Sequence, residues 1–136
     1  MNTKQLLPLI VTDELEQTKA YYVDKAGFVL TVDMEHYFQV RHGDEDGDPE
    51  LCFMRATDAG PMGPAAPFGG EGLIISIPTA NADREHERMR QRGAEIITEP
   101  SDKPWGWRSF FVRDPNGVSL DFFHVSTQSA VADATG

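Results

Sequence analysis

The sequence predicts an α+β fold assembled from two copies of one β-α-β-β-β unit. Three observations carry that reading. The order strand, helix, strand, strand, strand occurs once on each side of a stretch rich in glycine, proline and alanine. A helix-glycine-strand step recurs, as KAGFVL at 25–30 and QRGAEII at 91–97. A strand of similar pattern closes each half, ELCFM at 50–54 and SLDFF at 119–123. One helix over four strands buries too little apolar surface to stand alone, and pairing two such units removes that difficulty. Residues 1–125 are therefore read as a single domain, with module one over 5–55, a linker over 56–71 and module two over 72–125. Residues 126–136 are small, polar and expected to be disordered.

Taken in order, Gln5 to Val11 is an apolar run bounded by polar residues and reads as a strand. Asp13-Glu14-Leu15-Glu16 fits a capping box, with Asp13 as N-cap and Glu16 three residues on. Leu15, Thr18, Tyr22 and Ala26 fall on one helical stripe, and Gly27 is a suitable stop. Phe28 to Glu35, Tyr37 to His42 and Glu50 to Arg55 read as three further strands, the last two separated by a charged turn. Ala56 to Glu71 (ATDAGPMGPAAPFGGE) can hold neither helix nor central strand and reads as a long loop. Gly72 to Ile77 is a strand. Asn81 or Thr79 caps a helix running to Arg92, with Ala82, His86 and Met89 on one face. Glu95 to Thr98 is a short strand ahead of a hairpin.

The composition is that of an ordinary globular chain, 40% hydrophobic and 25% charged over 136 residues. No apolar run approaches membrane-spanning length, the start lacks a signal-peptide pattern, and a cytoplasmic location is expected. The formal charge of −10 argues against nucleic acid and against anionic membrane surfaces as partners. It suits solubility, and equally the approach of a cationic ligand. Cys52 is the one cysteine, so there is neither a disulfide framework nor a CxxC metal knuckle.

The most informative stretch is Lys103 to His124, KPWGWRSFFVRDPNGVSLDFFH. Two aromatic and β-branched runs flank Asp114-Pro115-Asn116-Gly117, where Pro115 presets a turn and Gly117 tolerates positive φ. Trp105, Gly106, Arg108, Phe110, Val112, Asp114, Pro115 and Gly117 form W-G-x-R-x-F-x-V-x-D-P-x-G. This pattern resembles the closing hairpin of the glyoxalase/bleomycin-resistance (vicinal oxygen chelate) superfamily, and most of all its bleomycin-resistance branch. TKAYYVDKAGF at 18–28 is similar to that superfamily's first helix and helix-to-strand turn, so the resemblance runs over about residues 5 to 125. It implies two βαβββ modules forming a curved mixed sheet around a cleft, commonly in a homodimer that exchanges modules.

Superfamily enzymes hold a divalent metal through residues on the first and last strands of each module. Those positions map onto Leu6, Cys52, Leu73 and Asp121, of which the two leucines have no donor atom. One thiol and one carboxylate do not make a divalent site, so neither metal nor other cofactor is expected. No GxSxG elbow, P-loop or GxGxxG occurs. Cys52 reads as a buried, inert thiol, and His86 as a packed histidine. Asp44, Asp46, Asp48 and Glu50 resemble a calcium loop, but Pro49 and Arg55 stand where that loop needs Gly and Glu, and a solvated tip is the reading. His124 has opposite strand parity to Asp121 and points to the other face.

What remains is an aromatic and apolar cleft with a few carboxylates. Parity anchored on the metal-equivalent positions turns Leu6, Pro8 and Ile10 inward, with Glu50, Cys52 and Met54, Leu73 and Ile75, and Ser119, Asp121 and Phe123. The candidate ligand-binding residues are Phe38, Cys52, Met54, Phe68, Leu73, Trp105, Trp107, Ser109, Phe111 and Asp121. Phe38 is placed there by the resemblance alone. The function expected is that of a metal-free binding protein that sequesters a bulky, planar, cationic natural product. Bleomycin-type or other DNA-damaging antibiotics are what the resemblance implies. The alternative class is a metal-dependent glyoxalase- or dioxygenase-like enzyme with an atypical ligand set.

Overall fold

A computed structural model describes residues 5–55 and 66–126. The first module runs β1 (Leu9–Val11), α1 (Leu15–Ala20) continued by a π-helical turn (Tyr21–Lys25), β2 (Val29–Met34), β3 (Tyr37–Arg41) and β4 (Glu50–Met54). The second runs β5 (Ile74–Pro78), α2 (Ala82–Gln91), β6 (Ser101–Asp102), β7 (Trp107–Arg113) and β8 (Ser119–Val125). Each module makes a four-stranded mixed sheet, ordered β1-β4-β3-β2 and β5-β8-β7-β6, in which only the first and last strands pair in parallel. The α+β architecture with its repeated unit is thus present in both halves. Most of the 56–71 linker and nearly all of the 126–136 tail lie outside the described residues.

The expected helical stripe forms: Leu15, Thr18, Tyr22 and Ala26 are all buried. The capping box does not. The N-cap is Glu14, whose N–H donates to the Thr12 hydroxyl, while Asp13 stays exposed. Thr12 is nearly fully buried and directly follows β1. The helix loosens into the π turn, where the Ala26 N–H reaches back to the Tyr21 carbonyl. At α2 the Asn81 side chain accepts from the Arg84 N–H, so Asn81 rather than Thr79 is the cap. The strand expected over 95–98 reduces to a single bridge between Ile96 and Val112, and β6 takes the edge position instead.

One face of each sheet meets its helix, and the two helix-covered faces share a single core. Phe38, Val40, Leu51 and Phe53 of the first sheet lie in one cluster with Phe110, Val112, Leu120 and Phe122 of the second. Phe28 meets Phe122 edge-on at 6.3 Å. Polar contacts reinforce this junction. The Tyr22 hydroxyl donates to Asp114 (2.7 Å), and the Asn116 amide donates to the Thr18 hydroxyl (3.0 Å). Asp114 also accepts from the Asn116 and Val118 N–H groups, closing the β7–β8 turn. Burial pushes its carboxyl above the usual range, against the pull of those hydrogen bonds. Gly117 has φ of 86°, and a Cβ there would lie 3.0 Å from the Gly70 Cα, so both conformation and space require glycine.

A second clasp joins His42, directly after β3, to α2. Glu85, 1% exposed, accepts from His42 Nε2 (3.0 Å), the Thr79 hydroxyl (2.9 Å) and Arg88 (2.6 Å). Burial alone would raise its pKa, but the hydrogen bonds and positive charge of His42 and Arg88 outweigh it and hold the carboxyl at about 2. A cavity of about 560 Å³ opens beside this clasp, lined among others by Gly27, Asp44, Asp48 and Arg92.

Candidate ligand-binding faces

Because side chains alternate along a strand, the residues between those in the core form an outer face on each sheet, turned away from the shared core. Register identifies them. On the first sheet Leu9 pairs with Cys52 and Val11 with Met54, while Gln39 pairs with Cys52 and Tyr37 with Met54. On the second, Ser76 pairs with Asp121, Phe111 with Asp121, and Ser109 with Phe123. The hydrogen bonds and ring contacts described for each outer face stay within its own sheet.

The first outer face is polar. Glu50 accepts from the Thr31 hydroxyl (2.9 Å) and the Gln39 amide (3.2 Å), and the Tyr37 hydroxyl donates to Gln39 (2.7 Å). Cys52 is 3% exposed beside them, and burial pushes its thiol up although a hydrogen bond with Tyr37 opposes the shift. A thiol raised in this way is a poor nucleophile and metal ligand at neutral pH. Glu50 is buried and does not belong to the solvated 44–48 turn with which the sequence grouped it.

The second outer face is aromatic. Trp107 stacks on Phe123 with ring centres 3.7 Å apart and planes 12° from parallel. Trp105 meets Trp107 edge-on at 6.2 Å and remains 45% exposed. Its place follows from the turn between β6 and β7, where the Gly106 N–H bonds the Lys103 carbonyl and Pro104-Trp105 form the corner. Beneath the rings Ser109 is fully buried, and Phe111 lies half-buried opposite Asp121. Asp121 is 4% exposed and accepts from the Ser76 hydroxyl through Oδ2 (3.1 Å).

The structure therefore brings Trp105, Trp107, Ser109, Phe111 and Asp121 together on one sheet and puts Cys52 and Met54 on the other. Phe68 and Leu73 border the Cys52 and Met54 group, beside the register partners of those two residues. They line a cavity of about 230 Å³ against β1 with Leu9, Val11 and Ala66. Phe38 is corrected outright: it is 1% exposed on the helix-covered face, stacked on Phe53 at 4.9 Å. The inward strand assignments of both first strands are corrected as well. Register puts Ile10 beside Phe53 and Ile75 beside Leu120 on the core side, and Leu6 is 86% exposed ahead of β1. A slip of one residue inverts a whole strand, and the short β1 offered no alternation to prevent it.

Sequence reasoning missed Thr31, Tyr37, Gln39 and Ser76. The alternation Tyr37-Gln39-Arg41 carries the signal for two of them. Thr31 was not legible, because an irregularity between Leu30 and Val32 shifts the pairing there. With register known, the first-strand neighbours of Cys52 and Asp121 are Leu9 and Ser76. Among the described residues no three His, Cys, Asp or Glu side chains converge. These residues do not fit a divalent ion, which needs three or four converging donors. Among the described residues, too, no helix is long and apolar enough to cross a membrane.

Comparison with known proteins agrees with this geometry. The family model described as Glyoxalase/Bleomycin resistance protein/Dioxygenase superfamily matches residues 5–122. No curated protein matches the chain. Among solved structures, a glyoxalase/bleomycin resistance protein/dioxygenase from Nocardioides superposes with a TM-score of 0.70 at 21% identity, covering 93% of this chain and 87% of that one. TioX from Micromonospora sp. ML1 has a TM-score of 0.70 at 19% identity, over 89% of this chain and 98% of its own. TnmS3, an antibiotic binding protein from Streptomyces sp. CB03234, has a TM-score of 0.69 at 26% identity, over 93% and 99%.

Proposed function

The chain belongs to the glyoxalase/bleomycin resistance protein/dioxygenase superfamily, and from that membership we propose that it binds and sequesters a bulky, planar antibiotic without transforming it. The observation that carries the reading is the stacked Trp107–Phe123 pair with the half-exposed Trp105 standing edge-on beside it. Such a wall offers a flat ligand ring both a face and an edge, each contact contributing about 0.5–1.5 kcal/mol beyond area burial. Likeness to an antibiotic binding protein at 26% identity supports the same role. The −10 charge favours cationic members of the class, whose encounter an acidic field accelerates. Protection then follows by mass action and needs no bond made or broken.

The binding unit in this proposal is a homodimer. Of the eight large apolar residues exposed among the described residues, five (Leu9, Met34, Ile74, Trp105 and Val125) fall on or beside the two outer faces, by register with Cys52, Tyr37, Ser119 and Trp107. Surface of that kind calls for cover. The polar face of one protomer closing over the aromatic face of its partner would cover it and enclose the ligand between them. The test is titration with a panel of planar DNA-damaging antibiotics, bleomycin included, followed by tryptophan fluorescence. A saturable quench at micromolar ligand is expected, and its absence with every member would overturn the proposal.

A further inference from the structure

Resting on the binding role proposed above, we infer that the ligand presents a hydrogen-bond donor at the edge of its planar ring, and that Asp121 and Ser109 receive it. Four carboxylates are buried among the described residues: Glu50, Glu85, Asp114 and Asp121. The first three are accounted for within the fold. Glu85 takes three donors, Glu50 two, and Asp114 the Tyr22 hydroxyl and two turn N–H groups. Asp121 differs. Its Oδ2 is held by the Ser76 hydroxyl, but Oδ1 is buried with no hydrogen-bond partner. The Ser109 hydroxyl, fully buried on the neighbouring strand, likewise has none.

Unmet buried polar atoms are uncommon because each costs about 1–3 kcal/mol, and more when the group is charged. Here two lie on one face, diagonal to each other in the β7–β8 register, and neither contributes to the junction between modules. A carboxylate oxygen can only accept, so its complement is an N–H or O–H donor. The Ser109 hydroxyl both donates and accepts, and completes the coordination of an amine, an amide or a phenolic hydroxyl. Phe111 and the Trp107–Phe123 stack flank these two atoms. A donor carried on the rim of a flat ring that lies against these aromatic side chains would be presented to both atoms. Asp121 thus selects among planar ligands that the aromatic wall by itself would accept indiscriminately.

Three neutral probes of one shape isolate this contact: 1-aminopyrene, 1-methoxypyrene and pyrene, titrated by quenching of tryptophan fluorescence. The wild-type protein should bind 1-aminopyrene at least about tenfold more tightly than the other two, the value of a hydrogen bond to a charged group. In Asp121→Asn the Ser76 hydroxyl keeps the remaining oxygen, which leaves the amide NH2 facing the ring. The preference should then reverse toward 1-methoxypyrene. Ser109→Ala, a smaller change guarding against a misfolded Asp121 variant, should reduce the amine preference several-fold. Circular dichroism melts establish that each variant is folded. Equal affinity of the wild type for all three probes, or an amine preference that survives in Asp121→Asn, would overturn the inference and leave the stacking role standing. No binding of any pyrene to the wild type would overturn both.

Discussion

Replacing Glu85 by Gln tests the clasp between the modules. The carboxyl goes from 4.5, its ordinary value, to about 2 in the folded protein. At about 1.4 kcal/mol for each pH unit, this difference contributes about 3 kcal/mol to stability. The sign follows from the direction: a depressed carboxyl contributes fully above its unfolded value and loses that contribution as pH falls through its folded one. Wild type should therefore exceed Glu85→Gln by about 3 kcal/mol near about pH 5.5, and by less than about 1 kcal/mol near about pH 2.5. Gln can still accept from His42 and Thr79, but its NH2 faces Arg88, donor against donor, which removes the strongest of the three bonds. Urea denaturation of both proteins at the two pH values reads the difference, and carboxylates common to both cancel in it. A gap between the proteins that is the same at both pH values would refute the ionised, doubly paired state of Glu85.

The tryptophans should separate. Trp105→Ala removes a half-exposed ring and should change the thermal midpoint little while weakening ligand binding by about 1–3 kcal/mol. Trp107→Ala breaks the stack on Phe123 and should lower stability and affinity together; equal loss of melting temperature in both variants would count against this assignment. Phe38→Ala should cost about 3–5 kcal/mol of stability with ligand affinity unchanged in the folded fraction, and a selective loss of binding would return Phe38 to the site. Sedimentation at micromolar concentration should show a dimer that Ile74→Lys weakens; a wild-type species near 15.1 kDa would contradict the proposed assembly.

Element order was legible because local chemistry decides it. The stripe from Leu15 to Ala26, the Asn81 cap, the glycine stops and the Asp114–Gly117 turn each follow from side-chain spacing and backbone preference within a few residues. The burial expected of Cys52 is also seen, and it pushes the thiol up. Two tryptophans beside a glycine marked the aromatic face, and the turn at Pro104-Trp105 placed them on it.

Register was not decided locally. Which of two alternating sets along β1 and β5 meets the core depends on partners about 45 residues away in β4 and β8, and sequence periodicity is weakest in a three-residue strand. The same distance hid the role of Asp114. Its turn chemistry could be read from Asp-Pro-Asn-Gly, but its bond to Tyr22, 92 residues earlier, is made only when the two modules close on each other. Glu85 and His42, 43 positions apart, meet for the same reason. The sequence by itself determined the repeated unit and which residues supply ring surface. The tertiary structure alone decided which carboxylates are consumed in holding the modules together and that Asp121 keeps a free oxygen. A hydrogen-bond acceptor is satisfied or left open by its neighbours in space, and side-chain identity does not record who those neighbours are.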